Sequence, residues 1–295
     1  MLINTVLVFL QNILPIFVVF SLLFAQQGAR VQLSNQTSTP LRYQKNNKPT
    51  YLPVLKLVKT TIVGLIIVGL FSHYMPGLSQ LFDGTGLDIF FSILFSFIYI
   101  FIVISFLLNR ASVHKLNKNQ IFNQMQTYMS LGILLLVLCV HGSYFSLYVM
   151  SLTISNAVID TLYSGIVIGV IIGTGICLSI AILLYFILIT FDKKLKGKVI
   201  CYFLLLFGVA QLMQGLQLLE QVDIISSNVH LWSTSYLIAE DSELGYFLTI
   251  LFGYEATPSA MELIVYLAAI IVPILIAKLI TYKQNSTASL MEGTY

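Results

Sequence analysis

The chain of 295 residues is 58% hydrophobic and only 9% charged, well under the roughly 25% charge of a soluble domain, which excludes an ordinary water-soluble fold and makes lipid its main solvent. Its net charge of +3, from 15 basic and 12 acidic residues, gathers into no patch of the kind that binds nucleic acid. Cys139, Cys177 and Cys201 lie in apolar runs without metal-ligand spacing and read as small packing residues.

A helix needs about 20 apolar residues to cross the hydrocarbon core. Such windows fall at about 2–25, 53–74, 87–108, 128–151, 163–190, 198–219 and 261–282, so the expected fold is all-α and polytopic, a single membrane domain over 1–295 with seven transmembrane helices. The first window is too long for a signal-peptide core and has no basic flank before it, so it reads as a retained helix. Polar chemistry separates the windows: Asn, Thr and Pro over 26–53, Asp-Gly and Thr-Gly over 76–86, and a short charged connector over 192–198. The segment 220–260 is acidic but also holds Leu231, Trp232, Tyr236, Leu237, Tyr246, Phe247 and Tyr254, which predicts a packed interfacial structure.

Lysine and arginine accumulate on the cytoplasmic side of a membrane. All 15 of them, from Arg30 and Arg42 through Lys56, Arg110, Lys193, Lys194 and Lys198 to Lys278 and Lys283, fall on alternate loops or helix ends. The opposite ends carry Asp83, Asp88, Asp160, Glu220, Asp223, Glu240, Asp241, Glu243, Glu255 and Glu262. This pattern places the N-terminus outside, the C-terminus in the cytoplasm and 220–260 as an outer loop. A negative outer surface gathers cations, although the positive-inside rule alone also leaves such a face.

Spans one to three and four to six make two sets of three, and an odd number per set inserts the second upside down. Inverted-repeat transporters are built in this way, with polar interruptions at matching helices. Span one carries Gln11, Asn12 and Pro15, and span four carries His141, Gly142, Ser143 and Tyr144. At 100° per residue, Asn4, Gln11, Asn12 and Pro15 share a face of the first helix, His141, Tyr144, Tyr148 and Ser151 share one on the fourth, and Gln211, Gln214, Gln217 and Gln221 share one on the sixth. Tyr148 and the serines read as interhelical hydrogen bonds. For the amides and His141, a polar cavity and simple packing are both open. Gly165, Gly169, Gly173 and Gly175 form a small-residue stripe for close helix packing.

Leu231-Trp232-Ser233-Thr234-Ser235, Leu244-Gly245 and Leu251-Phe252-Gly253-Tyr254, with Pro258 and Tyr266, resemble the last outer loop and seventh helix of the ferric-iron permease family. That family comprises fungal high-affinity iron permeases and bacterial iron-uptake permeases. The resemblance covers roughly 198–275, and the seven-span layout matches over the whole chain. It implies iron(III) movement through two Arg-Glu-x-x-Glu motifs, one in the first helix and one in the fourth, whose carboxylates are hard oxygen ligands. Here those positions read Gln11-Asn12-Ile13-Leu14-Pro15 and His141-Gly142-Ser143-Tyr144-Phe145. A Gly-x-His-x-x-x-Glu stretch of the family reads Gly215-Leu216-Gln217-Leu218-Leu219-Glu220-Gln221. No acid stands near the middle of a span, and a trivalent ion there would pay its dehydration without a charged ligand.

The expected function is therefore iron-ion transport by a permease-like protein with an altered ligand set. Gln11, Asn12, His141, Ser143, Gln214 and Gln217 would line its pathway, and Glu220, Asp223, Glu240, Asp241 and Glu243 would gather cations at the outer loop. The alternative is a non-transporting scaffold that holds a ferroxidase-like or periplasmic iron-binding subunit. Iron would be cargo, with no resident cofactor. Without paired mid-span carboxylates, a Cys/His cluster or a nucleophile motif, the sequence points away from an enzyme. Compact loops and the absence of a presequence favour a bacterial cytoplasmic membrane.

Overall fold

A computed structural model describes residues 2–37, 52–114, 120–155, 159–195, 198–225, 230–240 and 242–292. Among these lie α1 (Leu2–Thr37), α2 (Leu52–Ser79), α3 (Gly86–His114), α4 (Gln120–Ser155), α5 (Ile159–Lys194), α6 (Val199–Gln221), α7 (Glu243–Phe252) and α8 (Ala260–Glu292). Seven of them contain spans long and apolar enough to cross a bilayer: Ile3–Gly28, Leu55–Ser79, Gly86–Arg110, Gln124–Leu152, Gly165–Lys194, Val199–Gln221 and Ala260–Lys283. The shortest, at 23 residues, is about 34 Å long at 1.5 Å per residue, enough for a core of about 30 Å. The chain is thus a multi-pass membrane protein. Helices satisfy their backbone groups internally, as hydrocarbon demands. Rows such as Ile171, Leu183, Phe186 and Ile187 on α5, all exposed, are the faces that lipid solvates.

Packing divides the chain into two compact units. The first comprises Met1–Leu87 and Leu134–Phe203, and the second Asp88–Ile133 and Leu204–Tyr295. In the first unit α1 runs parallel to α5. Ser21 Oγ donates to the Ala181 carbonyl at 3.0 Å, Phe24 lies against Tyr185, and Phe9 covers Gly173. The small-residue stripe therefore serves packing at one defined point. A Cβ on Gly173 would stand 2.5 Å from Phe9 Cδ1, whereas one on Gly175 would meet nothing within 4 Å. Gly173→Leu is expected to lower unfolding stability by about 1–3 kcal/mol, the usual cost of overpacking. Gly175→Leu should change it by under about 0.5 kcal/mol; denaturation in mixed micelles distinguishes the two.

Helix α4 runs antiparallel to α1, through Thr5 Oγ1 and Tyr148 Oη at 3.2 Å and the edge-on rings of Phe9 and Phe145 at 5.2 Å. The Tyr148 bond is the interhelical one expected from sequence. Against α2, Gly64 receives Leu138 and Gly142 receives Val68. Pro15 sits inside α1 and is buried, and its missing N–H leaves the Gln11 carbonyl without its usual i+4 donor.

In the second unit α6 is bound to α3 by Ser92 Oγ, which donates to the Gly215 carbonyl at 2.8 Å. Tyr99 Oη donates to the Ala269 carbonyl of α8 at 3.0 Å. Val209, Met213, Leu216 and Ala269 form a core there. The acidic segment folds over one end of this unit. Ser242 caps α7 by accepting from Gly245 N at 3.0 Å. Gly253 ends α7 at φ +67° and stands so near α6 that a Cβ would lie 3.1 Å from Ala210 Cα, two reasons why glycine is required.

Candidate functional site

The acidic segment is stitched to itself by backbone. Leu231 N donates to the Pro258 carbonyl at 3.0 Å and Thr234 N to the Ala256 carbonyl at 2.8 Å. Tyr254 Oη donates to the Ile238 carbonyl at 3.0 Å, and Glu240 Oε1 accepts from Ala256 N at 2.5 Å. These bonds hold residues 230–240 against 254–259. The arrangement fixes Glu240 and Glu255 beside the start of α8.

That start is a capping box, Ser259-Ala260-Met261-Glu262. Ser259 Oγ accepts from Glu262 N at 3.1 Å, and Glu262 Oε2 accepts from Ser259 N at 2.7 Å. Ser259 Oγ also lies 3.5 Å from Glu220 Oε1, at the end of α6. One turn back on α6, Gln217 Nε2 donates to Glu255 Oε2 at 3.2 Å. Four glutamates and one amide thus form a single group that ties the end of α6 to the start of α8.

Glu262 is 2% exposed. Its second oxygen, Oε1, meets no hydrogen-bond donor among the described residues unless a proton is placed on a neighbouring carboxyl. Glu255 supplies that carboxyl. Its pKa rises to about 8, first because burial penalises the charged form, then through its hydrogen bond with Glu262 and the charges of Glu262 and Glu240, while the Gln217 bond pulls the other way. The Glu255 carboxyl therefore holds its proton near neutral pH and can donate it to Glu262 Oε1. Beside it lies a cavity of about 230 Å³, walled by Met213, Phe252, Pro258 and Tyr266 and lined on its polar side by Glu255 and Glu262.

Among the described residues, no three His, Cys, Asp or Glu side chains are arranged to hold a metal ion. The carboxyls do not make a finished metal cage.

Of the residues expected in the acidic loop, Glu220 and Glu240 join this group. Asp223 is exposed, at φ +56° in the turn after α6, with its backbone N–H bonded to the Glu220 carbonyl at 3.1 Å. Asp241 lies outside the described residues, and Glu243 is the first residue of α7. Glu255 and Glu262 were not among the expected site residues. The Ser-x-x-Glu spacing marks Glu262 as a helix cap, and no local pattern shows that Glu255 reaches it. Of the two amides expected on α6, Gln217 enters the group. No side-chain hydrogen bond among the described residues joins half-buried Gln214 to it.

Gln11, Asn12, His141 and Ser143 all belong to the first unit. The pairs Thr5–Tyr148 and Phe9–Phe145 set an antiparallel register that, continued by one turn, brings Gln11 and Asn12 level with His141 and Gly142. Asn12 Nδ2 donates to its own helix, at the Val8 carbonyl, at 2.8 Å. His141 is buried at 4% exposure, and Ser143 Oγ is fully buried without a hydrogen-bond partner among the described residues. A buried hydroxyl left in this way costs about 1–3 kcal/mol. No protein-family model, curated protein or solved structure matches the chain.

Proposed function

We propose that this protein transports metal cations across the membrane, with ionic iron the substrate that its similarity to ferric-iron permeases implies. The Glu220, Glu240, Glu255 and Glu262 group collects cations, and the amide and imidazole positions of α1 and α4 line the pathway. The observation that carries this reading is the carboxyl pair of half-buried Glu255 and buried Glu262, beside a cavity and joined through Gln217 to a membrane-spanning helix. A carboxyl that holds its proton near neutral pH, as Glu255 does, can give it up for a cation. The 15 basic residues on alternate ends of the spans support an orientation with the acidic segment outside and the C-terminus in the cytoplasm.

The grouping of helices supports a 3+3 inverted repeat followed by one further span. Spans one, two and five and the larger part of four pack in one unit, and spans three and seven with most of six pack in the other. Corresponding members of the two sets therefore fall together, an arrangement compatible with an inverted repeat.

The test is uptake of radiolabelled iron into proteoliposomes, under ferric and ferrous conditions. The wild type should accumulate iron above protein-free vesicles, and His141→Ala and Gln11→Ala should reduce it. A second reading, a scaffold that holds an iron-binding or ferroxidase-like subunit, is favoured by the exposed Trp232, Tyr236, Leu237 and Leu244 of the acidic segment. Absence of uptake in every sample, together with co-purification of a partner, would select it.

A further inference from the structure

The connector between α5 and α6 bounds a second cavity, of about 400 Å³, formed by Lys194, Leu195, Lys198, Val199 and Tyr202. Its shape is fixed by Asp192, which is buried and accepts from Val199 N at 3.1 Å and Ile200 N at 3.4 Å through Oδ1. This carboxylate satisfies the first amides of α6 and ties them to the last turn of α5. Leu195 N bonds back to the Phe191 carbonyl at 3.1 Å, and Tyr202 N to the Lys198 carbonyl at 3.3 Å. The reversal brings Lys194 and Lys198 to one cavity.

Asp192 is turned to the α6 N-terminus, and neither lysine has an ion-pair partner among the described residues. The remaining walls are apolar and open: Leu195 is 57% and Tyr202 38% exposed, and Phe191, one turn into the membrane, is 54% exposed. The cavity also stands at the end of the span Gly165–Lys194, where hydrocarbon meets headgroups. Two of its lining residues are cationic and the others are largely apolar. A free anion would use only the lysines, whereas a phospholipid uses both kinds, with its phosphate at the ammonium groups and its chains along Phe191 and Tyr202.

We propose that the Lys194–Lys198 cavity binds the headgroup of an anionic phospholipid in the leaflet that the α5–α6 connector faces. The site is independent of the carboxyl group of the second unit and stands whether or not the protein transports iron.

The test is equilibrium binding of a fluorescent short-chain phosphatidylglycerol to the intact protein in neutral micelles, with phosphatidylcholine as the comparison lipid. Phosphatidylglycerol should bind and phosphatidylcholine should not. Lys194→Gln with Lys198→Gln should weaken binding roughly thirtyfold, from about one tenfold step and a half for the two charges. Lys56→Gln, an exposed lysine on α2, should leave it unchanged. Arginine at both positions should retain binding, which separates lost charge from lost folding. Equal binding of the two lipids, an unaffected double glutamine variant, or displacement of the lipid by millimolar inorganic phosphate would each overturn the proposal, the last by assigning the cavity to a free anion.

Discussion

Glu255→Gln should flatten the pH profile of cation uptake and lower its plateau. In the wild type the Glu255 carboxyl holds a proton below about pH 8, so a cation must displace that proton to bind. Apparent affinity should then fall about tenfold for each pH unit below that point and level off above it. Glutamine keeps the shape and both neighbours: its amide N–H can donate to Glu262 Oε1 and its carbonyl can accept from Gln217 Nε2. What it lacks is the exchangeable proton and the negative charge. The measurement is uptake across a pH series with free cation held constant by a chelator buffer. A variant that keeps the wild-type slope would remove Glu255 from the pathway.

The same carboxyl makes a prediction for stability. Folding raises its pKa, so between the ordinary carboxylate range and about 8 the folded state binds more protons than the unfolded state. Its contribution is full at low pH and is lost as pH rises through about 8. Wild-type unfolding stability should fall across that window, and the Glu255→Gln variant should not follow it.

Glu262→Ala should be the most destabilising single change in the acidic segment, by about 1–3 kcal/mol. The Glu262 N to Ser259 Oγ half of the box survives in alanine. Ser259 N is left buried without its acceptor, which is the source of that cost. Glu262→Gln retains an acceptor for Ser259 N and should lie between wild type and alanine. Unfolding in mixed micelles would measure the series, and an alanine variant within about 0.5 kcal/mol of wild type would show that the box does not hold α8.

The spans were legible in the sequence because the physical demand is local. A run of about 20 apolar residues has few ways to satisfy its backbone in lipid, and all seven windows became helices. The Thr5–Tyr148 bond and the Gly173 contact followed from side chains suited to helix packing. The carboxyl group was legible only in part. Glu220 and Glu240 stood out as acids in an apolar chain, but Glu255 is brought to Glu262 by bonds between 230–240 and 254–259. Those made by Leu231 N and Thr234 N run from backbone to backbone and carry no side-chain signature, and all of them join residues far apart in sequence. Asn12 looked like a pathway donor, and in the structure its amide hydrogen serves its own helix at Val8.

The most direct measurement is proton release when a divalent or ferric cation is added to the purified protein in weakly buffered micelles at neutral pH. The carboxyl pair predicts release of about one proton per bound cation in the wild type and none at this site in Glu255→Gln. Cation binding without proton release, or equal release from both proteins, would contradict the assignment of the Glu255–Glu262 pair as the place where the cation enters.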